Sequence, residues 1–229
     1  MSPVFLSVQR ISKSFQMRAD KISALTDVSF EVTEGEFTAL VGPSGSGKTT
    51  LLNLIGCLDK PDQGQITLEG RELTTLSHDQ LSKERLRSIG FIFQDYNLIP
   101  TLTVLENVEY VLWLQRVGAA ERRERAKAVL ERVGLGKFGV RKPNALSRGQ
   151  QQRVAISRAI AHRPKIVLGD ELTANLDHKT GKELMEFLRE LNREQKITFL
   201  FSTHDPVMME YAERRISLLD GKLIGDHRS

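Results

Sequence analysis

Gly42-Pro43-Ser44-Gly45-Ser46-Gly47-Lys48-Thr49 is preceded by Phe37-Thr38-Ala39-Leu40-Val41 and followed by Thr50-Leu51-Leu52-Asn53-Leu54-Ile55. The eight residues fit G-x-x-x-x-G-K-[ST] and stand between an apolar strand-like run and a helical one, where that phosphate-binding loop has to stand. Gly42, Gly45 and Gly47 permit backbone angles that a Cβ resists, so successive N–H groups turn inward as a nest for phosphate oxygens. A helix starting near Gly47 adds unpaired donors and the positive end of its dipole. In such a loop Lys48 reaches the terminal phosphates and the Thr49 hydroxyl ligates Mg²⁺. The competing reading is a glycine-rich turn without a ligand.

Upstream of the loop, Val4 to Ile11 alternates apolar and polar residues and reads as a half-buried strand, and Val28 to Val32 reads as a second. Phe15 falls in a polar loop between them and fits either a base-stacking ring or a loop anchor. Downstream, Asp59 to Gly64 is a turn cluster and Gln65 to Gly70 a short strand. Residues 78–87 read as a polar helix. Ile89 to Phe93 is a buried-type strand that delivers Gln94 at its end.

From Leu102 to Val133 the apolar spacing is helical, with Ala126, Val129, Leu130 and Val133 on one face and Glu121 to Arg125 as a solvated charge run. Gly134, Gly136 and Gly139 break the pattern. A further helix begins at Ser147 and runs through Arg163, stopping before Pro164. Ile166 to Gly169 is a buried strand ending in Asp170-Glu171, and two adjacent carboxylates there are unfavourable unless a cation or substrate meets them. Asp177 can cap the next helix. Ile197 to Phe201 is another buried strand, followed by Ser202-Thr203-His204-Asp205. Arg215 to Leu219 and Lys222 to Ile224 pair as a hairpin around Asp220-Gly221.

Strands and helices alternate through the middle of the chain while strands cluster at both ends. The pattern predicts an α/β fold: a mostly parallel sheet flanked by helices, with an antiparallel layer and a helical insert. Ligands gather at the carboxyl ends of such strands, where the glycine loop, Gln94, Asp170-Glu171 and His204 all fall.

The chain has 229 residues, of which 40% are hydrophobic and 27% charged, enough for a packed core. No apolar run approaches the ~20 residues of a membrane span, so any membrane-spanning part would need another chain. Met1-Ser2-Pro3 leads straight into a strand-like segment with no signal-peptide pattern. The one cysteine, Cys57, has no internal disulfide partner and is expected to pack as a small hydrophobe on the loop's helix. The net charge of +4 is spread along the chain and fits a solvated basic surface. No basic stripe with interleaved aromatics appears, so no nucleic-acid partner is expected.

Leu146-Ser147-Arg148-Gly149-Gln150 resembles the LSGGQ signature of ABC ATPases. With the glycine loop and Asp170-Glu171, it carries a resemblance that covers essentially the whole chain. Leu102 to Val108 and Thr173-Ala174-Asn175-Leu176-Asp177 are most similar to nucleotide-binding subunits of the macrolide-exporter and lipoprotein-release group.

The resemblance implies one ABC ATPase domain with a P-loop NTPase core, approximately residues 1–95 and 164–229, and a helical subdomain at approximately 96–163. It implies ATP and Mg²⁺ as ligands, with Gly42 through Thr50 holding the nucleotide, Pro43, Ser44, Ser46 and Thr50 included. Phe15 would stack on adenine. Thr49, Gln94 and Asp170 would serve the metal, Glu171 would polarise the attacking water, and Lys48 and His204 would contact the terminal phosphate. Ser147, Arg148, Gly149 and Gln150 would act across an ATP-dependent homodimer, with Asp177 coupling its two sites. A separate transmembrane permease would be the partner, contacted near Gln94, Tyr96 and residues 102–118, and the chain would sit peripherally on the cytoplasmic face of the membrane. Trp113 in that segment is either part of this surface or core.

Four positions depart from the family pattern. Arg148 replaces the first glycine of LSGGQ, Leu172 stands where proline is usual, and Gly169 and Ala174 are slightly unusual. The competing functions are a non-transport ABC ATPase acting on nucleic acid and an ATP-binding regulator that does not hydrolyse.

Overall fold

A computed structural model describes residues 4–17 and 20–228, so the Met1-Ser2-Pro3 lead-in lies outside the described residues. The strand ahead of the glycine loop is β3 (Phe37–Val41), buried at every position as a parallel strand covered on both faces must be. It pairs in parallel with β8 (Thr198–Thr203) on one side and β9 (Arg214–Leu219) on the other. Beyond β8 the sheet continues in parallel through β7 (Ile166–Gly169) to β6 (Ile89–Ile92), while β10 (Lys222–Arg228) closes the far edge antiparallel to β9. The parallel order puts the carboxyl ends of β3, β6, β7 and β8 along one edge. Gly42, Asp170-Glu171 and His204 follow directly from those ends, and Gln94 stands two residues past the end of β6.

The antiparallel layer has the order β2-β1-β4-β5, formed by β1 (Val4–Met17), β2 (Asp20–Thr33), β4 (Gln63–Leu68) and β5 (Arg71–Glu72). Here the expectation for Phe15 is corrected. It lies within β1, opposite Ile22 of β2, and not in a loop. The strand continues past register shifts around Ile11 and Lys13 into an arm whose Phe15 and Ile22 are both exposed. Alternation of apolar and polar residues fades there because that arm has no buried face to mark.

Between the two sheets, Leu6, Val8 and Ile66 pack with Leu51 and Leu52 of α1 (Lys48–Ile55) and with Leu40 and Leu200. Cys57 joins this core just past α1, and burial pushes its thiol up to about 11. On the other face of the main sheet, Phe37 lies 5.3 Å from Phe199 and 5.1 Å from Phe201 between ring centroids. α5 (Arg148–Ile160) and α6 (His178–Gln195) cover that face through Ile156, Ala159, Leu184 and Leu188.

The helical stretch expected over Leu102 to Val133 is two helices, α3 (Val104–Leu114) and α4 (Ala119–Arg132), after α2 (His78–Ser88). Arg116 at φ 62 and Gly118 break it. Thr103 and Glu106 form a capping box at the start of α3, so its first turn is fixed by local chemistry. Val108, Leu112, Ala126, Leu130 and Val154 fill a third core among α3, α4 and α5. The charge run on α4 is mostly solvated as expected, but Arg122 and Arg123 also approach the buried Glu109 of α3 at 4.0 and 3.4 Å. Trp113 is 57% exposed, its ring tilted against that of Tyr110, and so belongs to the surface.

Candidate functional site

The glycine loop adopts the backbone its composition demands. Gly42, Gly45 and Gly47 have φ of 151, 81 and 99. A Cβ on Gly42 would meet the Leu218 carbonyl oxygen at 2.2 Å and one on Gly47 the Ala24 carbonyl oxygen at 2.6 Å, whereas Gly45 faces open space. Two glycines therefore admit neighbouring backbone, and Gly45 supplies a left-handed turn. No side chain caps α1, whose ladder starts at the bond from Leu51 N–H to Gly47 C=O. The amides before it point into the cradle with the positive end of the helix dipole.

Lys48 is buried, and its ammonium donates to the carbonyl oxygens of Gly42 at 2.8 Å and Pro43 at 2.9 Å. An ammonium has three donors, so one remains for a ligand oxygen above the loop. Ser46 Oγ is buried beneath the loop without a partner. The Thr49 hydroxyl donates to Asp170 Oδ1 at 3.0 Å, linking the loop to the end of β7.

Beside this, His204 Nδ1 lies 2.9 Å from both carboxylate oxygens of Glu171. A carboxylate only accepts, so the contact selects the tautomer with hydrogen on Nδ1. Ser44, Gly45, Gly47, Lys48, Thr49, Thr50, Gln94, Glu171 and His204 line one cavity of about 290 Å³, with Ala24 of β2 as an added wall. Phe15 is not among the lining residues; it stands on the same hairpin as Ala24.

The signature residues do not join that cavity. Ser147 caps α5: its hydroxyl accepts from Gln150 N–H at 3.3 Å and its own N–H donates to Gln150 Oε1 at 3.0 Å. Gly149 is held close to α6, where a Cβ would stand 3.0 Å from Thr180 Cγ2. Asp177 caps α6 as expected, accepting from Thr180 N–H at 3.1 Å. Ser147, Arg148, Gly149, Gln150, Asn175 and Asp177 border a separate cavity of about 480 Å³. One chain thus carries two half-sites.

Several supporting contacts carry no sequence signal of their own, although Asn175 lies in the Thr173 to Asp177 stretch that carries part of the family resemblance. Asn175 Nδ2 donates to the Gln94 carbonyl at 3.0 Å, Arg158 of α5 donates to the Tyr96 and Asn97 carbonyls, and Gln152 Nε2 donates to the Leu172 carbonyl at 2.8 Å. Gly221, in the β9–β10 turn, donates its N–H to the Ser46 carbonyl at 3.2 Å and buttresses the loop. Each is far in sequence from the residue it supports. Only the fold brings them together.

Comparison with known proteins agrees with this geometry. Residues 25–174 match the family model described as ABC transporter. An uncharacterized ABC transporter ATP-binding protein of Thermotoga maritima is 47% identical, over 94% of this chain and 92% of its own length. The macrolide export ATP-binding/permease protein MacB of a Shewanella species is 42% identical over 99% of this chain, which spans about a third, 34%, of that larger protein. Among solved structures, the dimeric ATP-binding cassette MJ0796 bound to ADP and Pi superposes with a TM-score of 0.92 at 44% identity, covering 97% of this chain and 98% of that one. MJ0796 of Methanocaldococcus jannaschii is also 45% identical in sequence over 95% of this chain. A glycine cradle, a carboxylate pair at the next strand but one, a signature helix turned to a second face and matches over nearly the whole length lead to one conclusion: the chain belongs to the ABC transporter family.

Proposed function

We propose that this protein is the ATP-hydrolysing subunit of an ABC transporter, driven by closure of a homodimer around nucleotide. The observation that carries the reading is the pair of half-sites: a phosphate cradle with Glu171 and His204 in one cavity, and Ser147 with free helix amides in another. A second copy laid head to tail would put its Ser147, Arg148, Gly149 and Gln150 over the cradle, with Asp177 beside the seam.

In that arrangement the remaining donor of Lys48 and the unpaired backbone amides of the loop and the first turn of α1, within Gly42 to Thr50, neutralise and orient the triphosphate. Glu171 aligns a water and takes its proton as the water oxygen bonds to the γ-phosphorus and the bond to ADP breaks. His204 holds the Glu171 carboxylate through Nδ1 and would present Nε2 to the phosphate. Phe15, exposed on the hairpin beside Ala24, would stack on the base. No cluster of three or more His, Cys, Asp or Glu side chains suited to a metal occurs among the described residues, so a divalent ion at Thr49 would take most of its oxygens from phosphate and water. Mg²⁺ held by Thr49 and Gln94 and, through water, by Asp170 would neutralise charge on the terminal phosphates.

No helix among the described residues is long and apolar enough to cross a membrane. A permease chain would supply that part, docking near Gln94, Tyr96 and the exposed Tyr110, Trp113 and Leu114 of α3, with this subunit at the cytoplasmic membrane face. Approximately residues 96–163 would move as a helical subdomain. The MacB resemblance favours export or membrane extraction over uptake, and the transporter names of the relatives set aside the nucleic-acid alternative.

Glu171→Gln tests the reading. The variant should bind ATP as tightly as the parent while phosphate release falls by about a hundredfold or more. A regulator that does not hydrolyse would show no difference between the two.

A further inference from the structure

Glu171 stands at φ 48, in the left-handed region that a residue with a Cβ enters only when its surroundings hold it there. The hold comes from β8. Glu171 N–H donates to Ser202 Oγ at 2.9 Å, and the same hydroxyl donates to Asp170 Oδ1 at 2.6 Å. Ser202 is fully buried, so no water competes for either bond. Both bonds together fix the orientation of the hydroxyl. Asp170 Oδ1 is shared with the Thr49 hydroxyl, so Ser202 ties the Glu171 turn to the phosphate loop through one carboxylate oxygen. Two residues further along the chain, His204 reaches the Glu171 side chain. β8 therefore grips Glu171 at its main chain and the residue after its end grips the carboxylate.

We infer that Ser202 is a positioning residue for hydrolysis: its hydroxyl bridges the Glu171 amide and the Asp170 carboxylate and so sets where the Glu171 carboxylate stands relative to the cradle. Removing the hydroxyl leaves a buried amide without an acceptor and frees the turn to relax toward ordinary φ. A displacement of about 1 Å in a group that aligns water is enough to lower turnover by orders of magnitude while nucleotide binding persists. The inference rests on Glu171 serving hydrolysis as proposed above.

The test compares Ser202→Ala, Ser202→Thr and Ser202→Val, the last two matched in shape and differing in the hydroxyl, so that any crowding in the filled core falls on both. Steady-state ATP hydrolysis and equilibrium binding of a non-hydrolysable ATP analogue are measured for each. Ser202→Ala is expected to lower kcat by about tenfold or more with KM and analogue affinity within about twofold, and Ser202→Thr to keep several times the kcat of Ser202→Val. A kcat for Ser202→Ala within about twofold of the parent, equal losses in the Thr and Val proteins, or a loss confined to KM and affinity overturns the inference. If the crowded pair does not fold, the Ala protein decides alone. Hydrolysis by the unsubstituted chain in the same assay upholds the hydrolase reading under every one of these outcomes, so the two failures are distinct.

Discussion

Glu171 and its neighbours show how much of a site is written locally. The glycine loop was legible because its eight residues act through their own backbone, and φ at Gly42, Gly45 and Gly47 follows from composition. Asp170-Glu171 and His204 were legible because each ends a buried apolar run. Ser202 was not, since a serine inside a strand carries no pattern and its partners lie 31 and 32 residues away. His162 shows the same limit. Nothing in its neighbouring residues separates it from the other histidines, yet burial pushes its imidazole down to about 4. The unfolded chain therefore binds a proton between pH 6.5 and 4 that the folded one refuses. Stability from this group is complete above pH 6.5 and falls as pH drops toward 4, by about 3 kcal/mol in all. Urea unfolding of His162→Gln and the parent at pH 7.5 and 4.5 checks it: the parent should lose about 2–3 kcal/mol more than the variant on acidification, and parallel losses would contradict the assignment.

The turn after β7 couples two departures from the family pattern. A Cβ on Gly169 would stand 2.6 to 2.9 Å from three side-chain atoms of Leu172, which is itself buried. Leucine in place of the usual proline thus occupies the space that glycine at 169 leaves open. The Leu172 carbonyl accepts from Gln152 Nε2 of α5 at 2.8 Å, which ties the turn to that helix. Gly169→Ala should lower stability by about 1–2 kcal/mol, and that loss should shrink to near zero in a Leu172→Ala background. A denaturant double-mutant cycle reads this coupling, and equal losses in both backgrounds would contradict it. α5 acts as the strut of the site: Ser147 at its start, Gln152 on the turn after β7 and Arg158 on the loop after Gln94. Its helical spacing and its Ser147 cap were visible in the sequence, whereas the division between α3 and α4 was not, because Arg116 at φ 62 looks like any surface residue. Phe15 was misplaced for a related reason, since an arm solvated on both faces has no apolar alternation to read.

At the scale of the molecule, one feature of the topology governs the rest. Parallel β3, β6, β7 and β8 deliver the glycine loop, Gln94, Glu171 and His204 to one edge, while α5 and α6 carry Ser147 and Asp177 to a cavity of their own. The fold class, the parallel sheet and the antiparallel layer followed from the order of strand-like and helical runs. That the signature faces away from its own cradle followed only from the family resemblance until the fold showed two cavities. On the proposed function, a chain built this way would hold ATP in its cradle and complete the pocket with a second copy. The direct test is the mass of Glu171→Gln by light scattering with and without ATP, in proteins that do or do not also carry Ser147→Arg or Lys48→Ala. Glu171→Gln alone should double its mass when ATP is added, and each second substitution should keep it monomeric. A nucleotide-bound monomer, or a dimer indifferent to Ser147→Arg, would contradict the account.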